Sequence, residues 1–230
     1  MGLKEELDAW VGDVFRSKWE VRDGRQVPDD ASKLGLKNEA IKLSGTVLYA
    51  DLADSTIMVD KYKSEFAAEI YKTFLYCSAR IVTSVGGTVT AYDGDRIMGI
   101  FMGDDKDTNA VKAAMKIKWA IDHIVMPRLK GIYPTTEFQL RHVVGIDTCE
   151  LLVAKTGARG ANDLVWVGRA ANYAAKLAAL PPTNTYITAS VYRNLTVAAK
   201  TSNGKSMWQA VRWNTFDDST IYRSGWGWPL

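Results

Sequence analysis

Cysteine and histidine are scarce, with two of each in 230 residues. Cys77 and Cys149 sit in different segments, and neither His123 nor His142 has a second histidine or a cysteine at ligand spacing. That leaves no material for a zinc site or a disulfide framework. Serine and cysteine nucleophiles lack a recognisable elbow or a partner histidine. The two thiols are expected to be buried and reduced. No apolar run reaches the ~18 residues of a membrane span. The N-terminal L3-K-E-E-L-D has neither the basic nor the apolar region of a signal peptide, so a cytoplasmic location without a membrane partner is expected. Net charge is only +3, with acidic and basic residues interspersed, which argues against a nucleic-acid partner. A G-x-x-x-x-G-K-[ST] element is missing, and G157-A-R-G160 is too short for a dinucleotide fingerprint.

What is present is the composition of an ordinary globular protein, 47% hydrophobic and 24% charged, long enough for a sizeable core. Leu7, Trp10, Val11, Val14 and Phe15 recur at helical spacing, predicting an amphipathic helix over 3–19 with an aromatic face that needs a surface to pack on. The Gly-, Pro- and Asp-rich stretch 21–32 reads as an irregular connection. K42-L-S-G-T-V-L-Y-A50 is a strand ending at Asp51, and D54-S-T56 predicts a helix entry, capped by Asp54 or Ser55, running to about Val85. Gly86-Gly87 ends it. Residues 88–92 and 96–101 read as a hairpin around an Asp93-Gly94 turn, with Asp95 just after it.

Apolar spacing then predicts a second long helix over 107–130. It is followed by a strand over 138–146, a hairpin partner over 147–154, a glycine-bearing loop over 156–162 and a short strand over 164–167. A third helix over 169–180 stops at Pro181-Pro182; a strand over 185–189 and a helical turn over 191–195 follow. The order βαββαββ, with αβ after it, predicts an α+β sandwich of helices over a mainly antiparallel sheet. The tail carries Trp208, Trp213, Trp226 and Trp228, expected to cover part of the core. The expected organisation is an N-terminal helix and connection over 1–39, a main domain over 40–195 and a tail over 196–230.

Three constellations bear chemistry. Asp51 at a strand end and Asp95 at a hairpin tip belong to one sheet, and if their strands are neighbours two carboxylates converge. Oxygen donors of this kind suit Mg²⁺ or Mn²⁺, with a nucleoside triphosphate supplying further ligands. The backbone amides of Ala53, Asp54, Ser55 and Thr56, opening a helix, are placed to receive phosphate oxygens. Asn172 and Lys176 share a helix face at i,i+4 spacing, an amide to orient a hydroxyl and a cation to meet phosphoryl charge. Each constellation alone also fits a blander role: Asp51 as a helix cap, Asp95 as a turn residue, Asn172 and Lys176 as a polar helix face.

Taken in order, Y49-A-D-L-A-D-S-T56, G94-D95 and G168-x-x-x-N172-x-x-x-K176 resemble the catalytic domain of class III nucleotidyl cyclases over roughly 40–195. The resemblance implies a ferredoxin-like α+β core and a head-to-tail homodimer with composite active sites. It also implies two divalent ions, Mn²⁺ or Mg²⁺, held by Asp51, Asp95 and the Leu52 carbonyl, a ribose-orienting Asn172 and a transition-state cation, here Lys176 in place of arginine. Purine cyclases carry base-reading polar groups where this chain has Ala91 and Val165. With W19-E-V-R-D-G-R-Q-V-P28 and I221-Y-R-S-G-W-G-W-P229, the chain resembles the bacterial pyrimidine cyclases of the Pycsar anti-phage systems. That resemblance implies conversion of UTP to cyclic UMP, or of CTP to cyclic CMP, signalling to a separate cyclic-nucleotide-binding effector. Tyr49, Arg96 and Trp166 are candidates for the pyrimidine pocket. A catalytically silent nucleotide sensor on the same fold is the rival from another class.

Overall fold

The computed structural model describes residues 2–28, 31–158, 161–182, 185–216 and 218–230. In chain order the elements are α1 (Leu3–Arg16), β1 (Glu20–Asp23), β2 (Glu39–Leu52), α2 (Ser55–Lys61), α3 (Ser64–Ser84), β3 (Thr88–Asp93), β4 (Arg96–Phe101), α4 (Lys106–Ala120) and α5 (Met126–Ile132). They continue as β5 (His142–Ala158), β6 (Ala161–Val167), α6 (Arg169–Ala178), β7 (Thr185–Thr188), α7 (Ala189–Asn194), α8 (Val197–Lys200), β8 (Thr201–Ser202), β9 (Lys205–Ser206), β10 (Gln209–Trp213) and β11 (Ser219–Ser224). The chain divides into two units, Met1–Ser44 with Glu150–Gly168, and Gly45–Cys149 with Arg169–Leu230.

In the first unit β1 pairs in parallel with the start of β2, and the end of β5 forms an antiparallel hairpin with β6. The segment expected to be irregular from Val21 therefore begins as a strand, because Glu20–Asp23 finds the backbone of 39–42 as a partner. The loop expected over 156–162 is mostly hairpin; Arg159 and Gly160 lie outside the described residues. The buried Asn38 amide donates to the Val14 and Ser17 carbonyls, both at 2.8 Å, and ties down the end of α1. No residue of α1 is buried, so its aromatic face stays exposed, Trp10 at 56% and Phe15 at 85%.

The second unit is organised on a sheet of order β10-β11-β7-β5-β2-β4-β3. The β5–β7 pair is parallel, while β2–β4, β3–β4, β7–β11 and β10–β11 are antiparallel. Alternation along each strand sends residues to opposite faces. One face, with Leu48, Ala50, Ile97, Val144 and Ile187, is sealed by Phe74 and Val82 of α3 and Val111 and Ile117 of α4. On the other face Val143 and Tyr186 pack with Leu177 of α6, Trp213 and Ile221. The tail thus adds two strands, β10 and β11, to this sheet, and Trp208 and Trp213 are buried, Trp208 donating its indole N–H to the Ala199 carbonyl at 2.8 Å.

Three predicted helices and hairpins are corrected. The helix from Ser55 breaks at Tyr62, whose backbone is extended while its ring stacks on Phe66 and meets Phe138 edge-on. The helix over 107–130 widens into a π turn at Ile121–Val125, just before Pro127, which lacks the N–H to continue the regular ladder. The strand-and-partner reading of 138–154 is wrong: His142–Ala158 is one continuous strand. Asp147, expected to open the second strand of a hairpin, stays inside it because Arg169 and Thr188 meet its fully buried carboxylate. Cys77 and Cys149 are half-buried rather than buried. Among the described residues no helix is long and apolar enough to cross a membrane.

Candidate active site

The sheet face opposite α3 and α4 is left open at β2, β4 and β3, and register places two cross-strand rows on it. Asp51 lies opposite Arg96, itself opposite Asp93; two residues along, Tyr49 lies opposite Met98, itself opposite Ala91. Directly paired residues point to the same face. The first row is therefore charged and the second carries one hydroxyl. Arg96 pairs with Asp93, and its guanidinium lies 5.2 Å from the centre of the Tyr49 ring. Burial pushes the Tyr49 hydroxyl up.

The hairpin turn is shifted by one residue from the expected one. Asp93 ends β3, and the turn is Gly94-Asp95, with the positive φ of 62° carried by Gly94. Asp95 is thus in the turn itself, next to the residue that pairs with Asp51. Burial raises the Asp51 carboxyl to about 6, and the negative charge of Asp95 adds to the rise, against Arg96 and the Leu52 amide. A half-buried carboxyl raised by burial and by a neighbouring carboxylate marks a site deficient in positive charge. All-oxygen donors fit Mg²⁺ or Mn²⁺. Among the described residues no group of three or more His, Cys, Asp or Glu gathers, so further ligands would be carbonyl, water or phosphate oxygens.

Beside Asp51 opens a cleft of about 460 Å³, lined also by Ala53, Asp54, Val143, Leu180 and Pro181. Asp54 does not cap α2. Its backbone is left-handed, φ 59°, its side chain makes no cap hydrogen bond, and its carboxylate pairs with Arg141. The Ala53 amide is committed to the Arg141 carbonyl at 2.9 Å. Ser55 and Thr56 form the first turn of α2, as expected.

Asn172 and Lys176 stand exposed on α6 and do not line that cleft. The helix is held from below and from its start. A Cβ on Gly145 of β5 would lie 2.1 Å from the Ala174 carbonyl and 2.6 Å from the Ala178 amide, so the strand accepts α6 at backbone contact only because this residue is glycine. Arg169 donates through Nε and Nη2 to the two oxygens of Asp147 at 3.0 and 3.2 Å, and Thr188 donates to the same carboxylate at 2.5 Å. Burial raises the Asp147 carboxyl, and the Thr188 hydrogen bond opposes it ahead of Arg169. Val165 and Trp166 are on β6 of the first unit, Val165 40% exposed and Trp166 half-buried.

Gly145, Asp147, Arg169 and Arg141 escaped the sequence reading. Only Gly145 left a local signal, a glycine inside an apolar strand pattern. The others owe their roles to partners from 22 to 87 residues away.

No family profile matches the chain. A uridylate cyclase of Xanthomonas perforans is 65% identical over 230 residues, covering all of both chains. A uridylate cyclase of Burkholderia cepacia is 48% identical over 233 residues, again covering both completely. Among solved structures, the guanylyl cyclase Cya2 superposes with a TM-score of 0.69 at 19% identity, covering 81% of this chain and 94% of that one. The adenylyl cyclase CyaB of P. aeruginosa superposes with a TM-score of 0.66 at 18% identity, covering 81% and 95%. The sheet and its helices therefore have the class III nucleotidyl cyclase fold, and the chain belongs to the bacterial uridylate cyclases.

Proposed function

We propose that this cyclase converts UTP to 3′,5′-cyclic UMP and pyrophosphate, with Asp51 and Asp95 holding two divalent ions. The observation that carries the reading is the pair of rows on the open face. A half-buried Asp51, raised by burial and then by Asp95, lies next to a row, Tyr49–Met98–Ala91, with a single polar side chain to offer a base. When bound, Mg²⁺ or Mn²⁺ acidifies the ribose 3′-hydroxyl and neutralises the triphosphate. Asp51, Asp95 and the Leu52 carbonyl hold the ions. The amides of Asp54, Ser55 and Thr56 receive phosphate oxygens. Asn172 orients the ribose. Lys176 faces the charge that builds on the α-phosphate. The 3′-oxygen bonds to the α-phosphorus, its proton leaves to solvent, and the bond to the pyrophosphate oxygen breaks.

Tyr49 and Arg96 shape the base pocket, and with an alkyl group at Ala91 a purine edge finds no partner there. The 65% and 48% identity to uridylate cyclases supports uracil over cytosine. Both metal carboxylates are present, which supports an enzyme over a silent sensor. A head-to-tail homodimer would bring Asn172 and Lys176 of one copy to Asp51 and Asp95 of the other. Its support is that neither residue lines the cleft beside Asp51. Cyclic UMP would then act as an anti-phage signal read by a separate effector.

Incubation with Mn²⁺ and each of the four ribonucleoside triphosphates, with products identified by mass spectrometry, tests the proposal. Cyclic UMP as the main product is expected. A dominant cyclic purine nucleotide refutes the pyrimidine reading, and dominant cyclic CMP refutes the uracil preference.

A further inference from the structure

Lys176 stands where a guanidinium would bring a planar fork. An ammonium on a four-carbon stem has no such pre-set geometry and must be oriented by its surroundings. Among the described residues no carboxylate pairs with it; its neighbour is the ring of Phe216, whose centre lies 5.3 Å from Nζ. Phe216 belongs to the turn between β10 and β11, closed by its own amide donating to the Trp213 carbonyl at 3.2 Å and by the Ser219 amide donating to its carbonyl at 2.9 Å. The ring is fixed in turn. It lies 4.6 Å from the Trp213 ring and 4.5 Å from the Tyr173 ring, centre to centre, and Tyr173 meets Trp213 edge-on at 5.1 Å. Trp213 is buried against Leu177 and Ile221. The other face of this arrangement is met by the Arg169 guanidinium, 5.3 Å from the Tyr173 ring.

We infer that Phe216 is a positioning residue for Lys176, so that the C-terminal hairpin completes the cation-bearing half of the active site. This rests on the reading of Lys176 as the cation that meets the α-phosphate. A ring face attracts the ammonium and restricts its stem, and a cation already oriented stabilises developing charge without the cost of ordering it during reaction. The two strands after the last family motif, β10 and β11, then have a catalytic reason to be there. They carry the aromatic bracket that substitutes for the missing fork.

The test is a double-mutant cycle between Phe216 and Lys176 on the full chain, reading kcat and KM for UTP and thermal unfolding. Phe216→Leu keeps apolar bulk and removes the ring face. It is expected to lower kcat roughly two- to five-fold, the rate equivalent of an exposed cation–π contact, with KM unchanged. Phe216→Tyr restores most of that loss. In a Lys176→Ala background, itself down about 100-fold or more in kcat, Phe216→Leu is expected to change nothing further. Equal losses in both backgrounds, or no loss in the native background, overturn the positioning role while leaving the role of Lys176 standing. An undiminished kcat in Lys176→Ala overturns the underlying reading and this one with it. Should Phe216→Leu unfold early, the Phe216→Tyr and Phe216→Trp pair, compared in both backgrounds, reads the same coupling.

Discussion

Asp51→Asn should do two opposed things: abolish cyclase activity and make the metal-free protein more stable. The carboxyl of Asp51 is raised from 3.8 to about 6, first by burial and then by the charge of Asp95. A folded-state pKa above the unfolded one means the native state binds the proton more tightly, so the benefit is present below pH ~4 and lost as pH rises through ~6. At pH 7.5 the ionised Asp51 is therefore a penalty carried by the fold. Two units correspond to ~3 kcal/mol. Asp51 is only half-buried, and solvent screening discounts that to about 1 kcal/mol. In a domain of this size ~1 kcal/mol moves the melting temperature by ~2–4 °C.

The assay is thermal unfolding of chelator-treated native and Asp51→Asn protein at pH 7.5 and pH 4.5, then at pH 7.5 with Mn²⁺. The Asn variant should melt higher at pH 7.5 and lose most of that advantage at pH 4.5. Mn²⁺ should stabilise the native protein and leave the variant unmoved, because only a state that binds the ion gains from it. A variant that melts lower than native at pH 7.5, or that keeps turning over, refutes the reasoning.

Mixing inactive Asp51→Asn with inactive Lys176→Ala protein under subunit exchange should restore about a quarter of native activity, since half the dimers are mixed and each mixed dimer keeps one intact site; no recovery argues against composite sites. Gly145→Ala should cost ~1–3 kcal/mol by overpacking, because the new methyl meets backbone atoms of α6 at 2.1 and 2.6 Å. Its kcat should fall more than its KM rises, as Asn172 and Lys176 move with the helix; an unchanged urea midpoint sinks that account. His142 is buried in β5, and burial, helped by the charge of Lys118 and opposed by Asp122, lowers its pKa to about 4. Since the unfolded chain then takes up the proton first, stability should fall as pH drops from ~6.5 toward ~4, by about 2 kcal/mol at pH 5. Native and His142→Leu proteins compared by urea unfolding at pH 7.5 and 5.0 check this, and equal pH slopes refute it.

Local chemistry made the placement of Asp51 and Asp95, the proposed metal ligands, readable. A strand that ends in Asp51 and a glycine turn beside Asp95 are short-range patterns, and the pairing of β2 with β4 needed only that neighbouring hairpins join one sheet. Where the sequence misled, a distant partner had changed the meaning of a local residue. Asp54 looked like a helix cap until Arg141, 87 residues on, took its carboxylate and left the backbone left-handed. Asp147 looked like the start of a new strand until Arg169 and Thr188 satisfied it inside a continuous one. Aspartate favours caps and turns because its side chain otherwise competes for nearby backbone amides, and a side-chain partner removes that competition. The break at Tyr62 has the same origin, since no propensity announces a helix interrupted to seat one ring among others.

The two halves of the site also differ in how they are held. Asp51 and the Gly94-Asp95 turn are placed by sheet register, which the backbone ladder enforces and a single side-chain change does not shift. Asn172 and Lys176 ride on a helix whose position depends on one missing methyl at Gly145, one ion pair at its first residue and one aromatic bracket under its lysine. Each of these is a single-residue dependency. The proposed composite site needs its halves to meet within a fraction of an ångström. Substitutions that leave the protein folded but slow should therefore concentrate around α6 and the C-terminal hairpin, while those in β2 and β4 should remove activity outright or leave it alone.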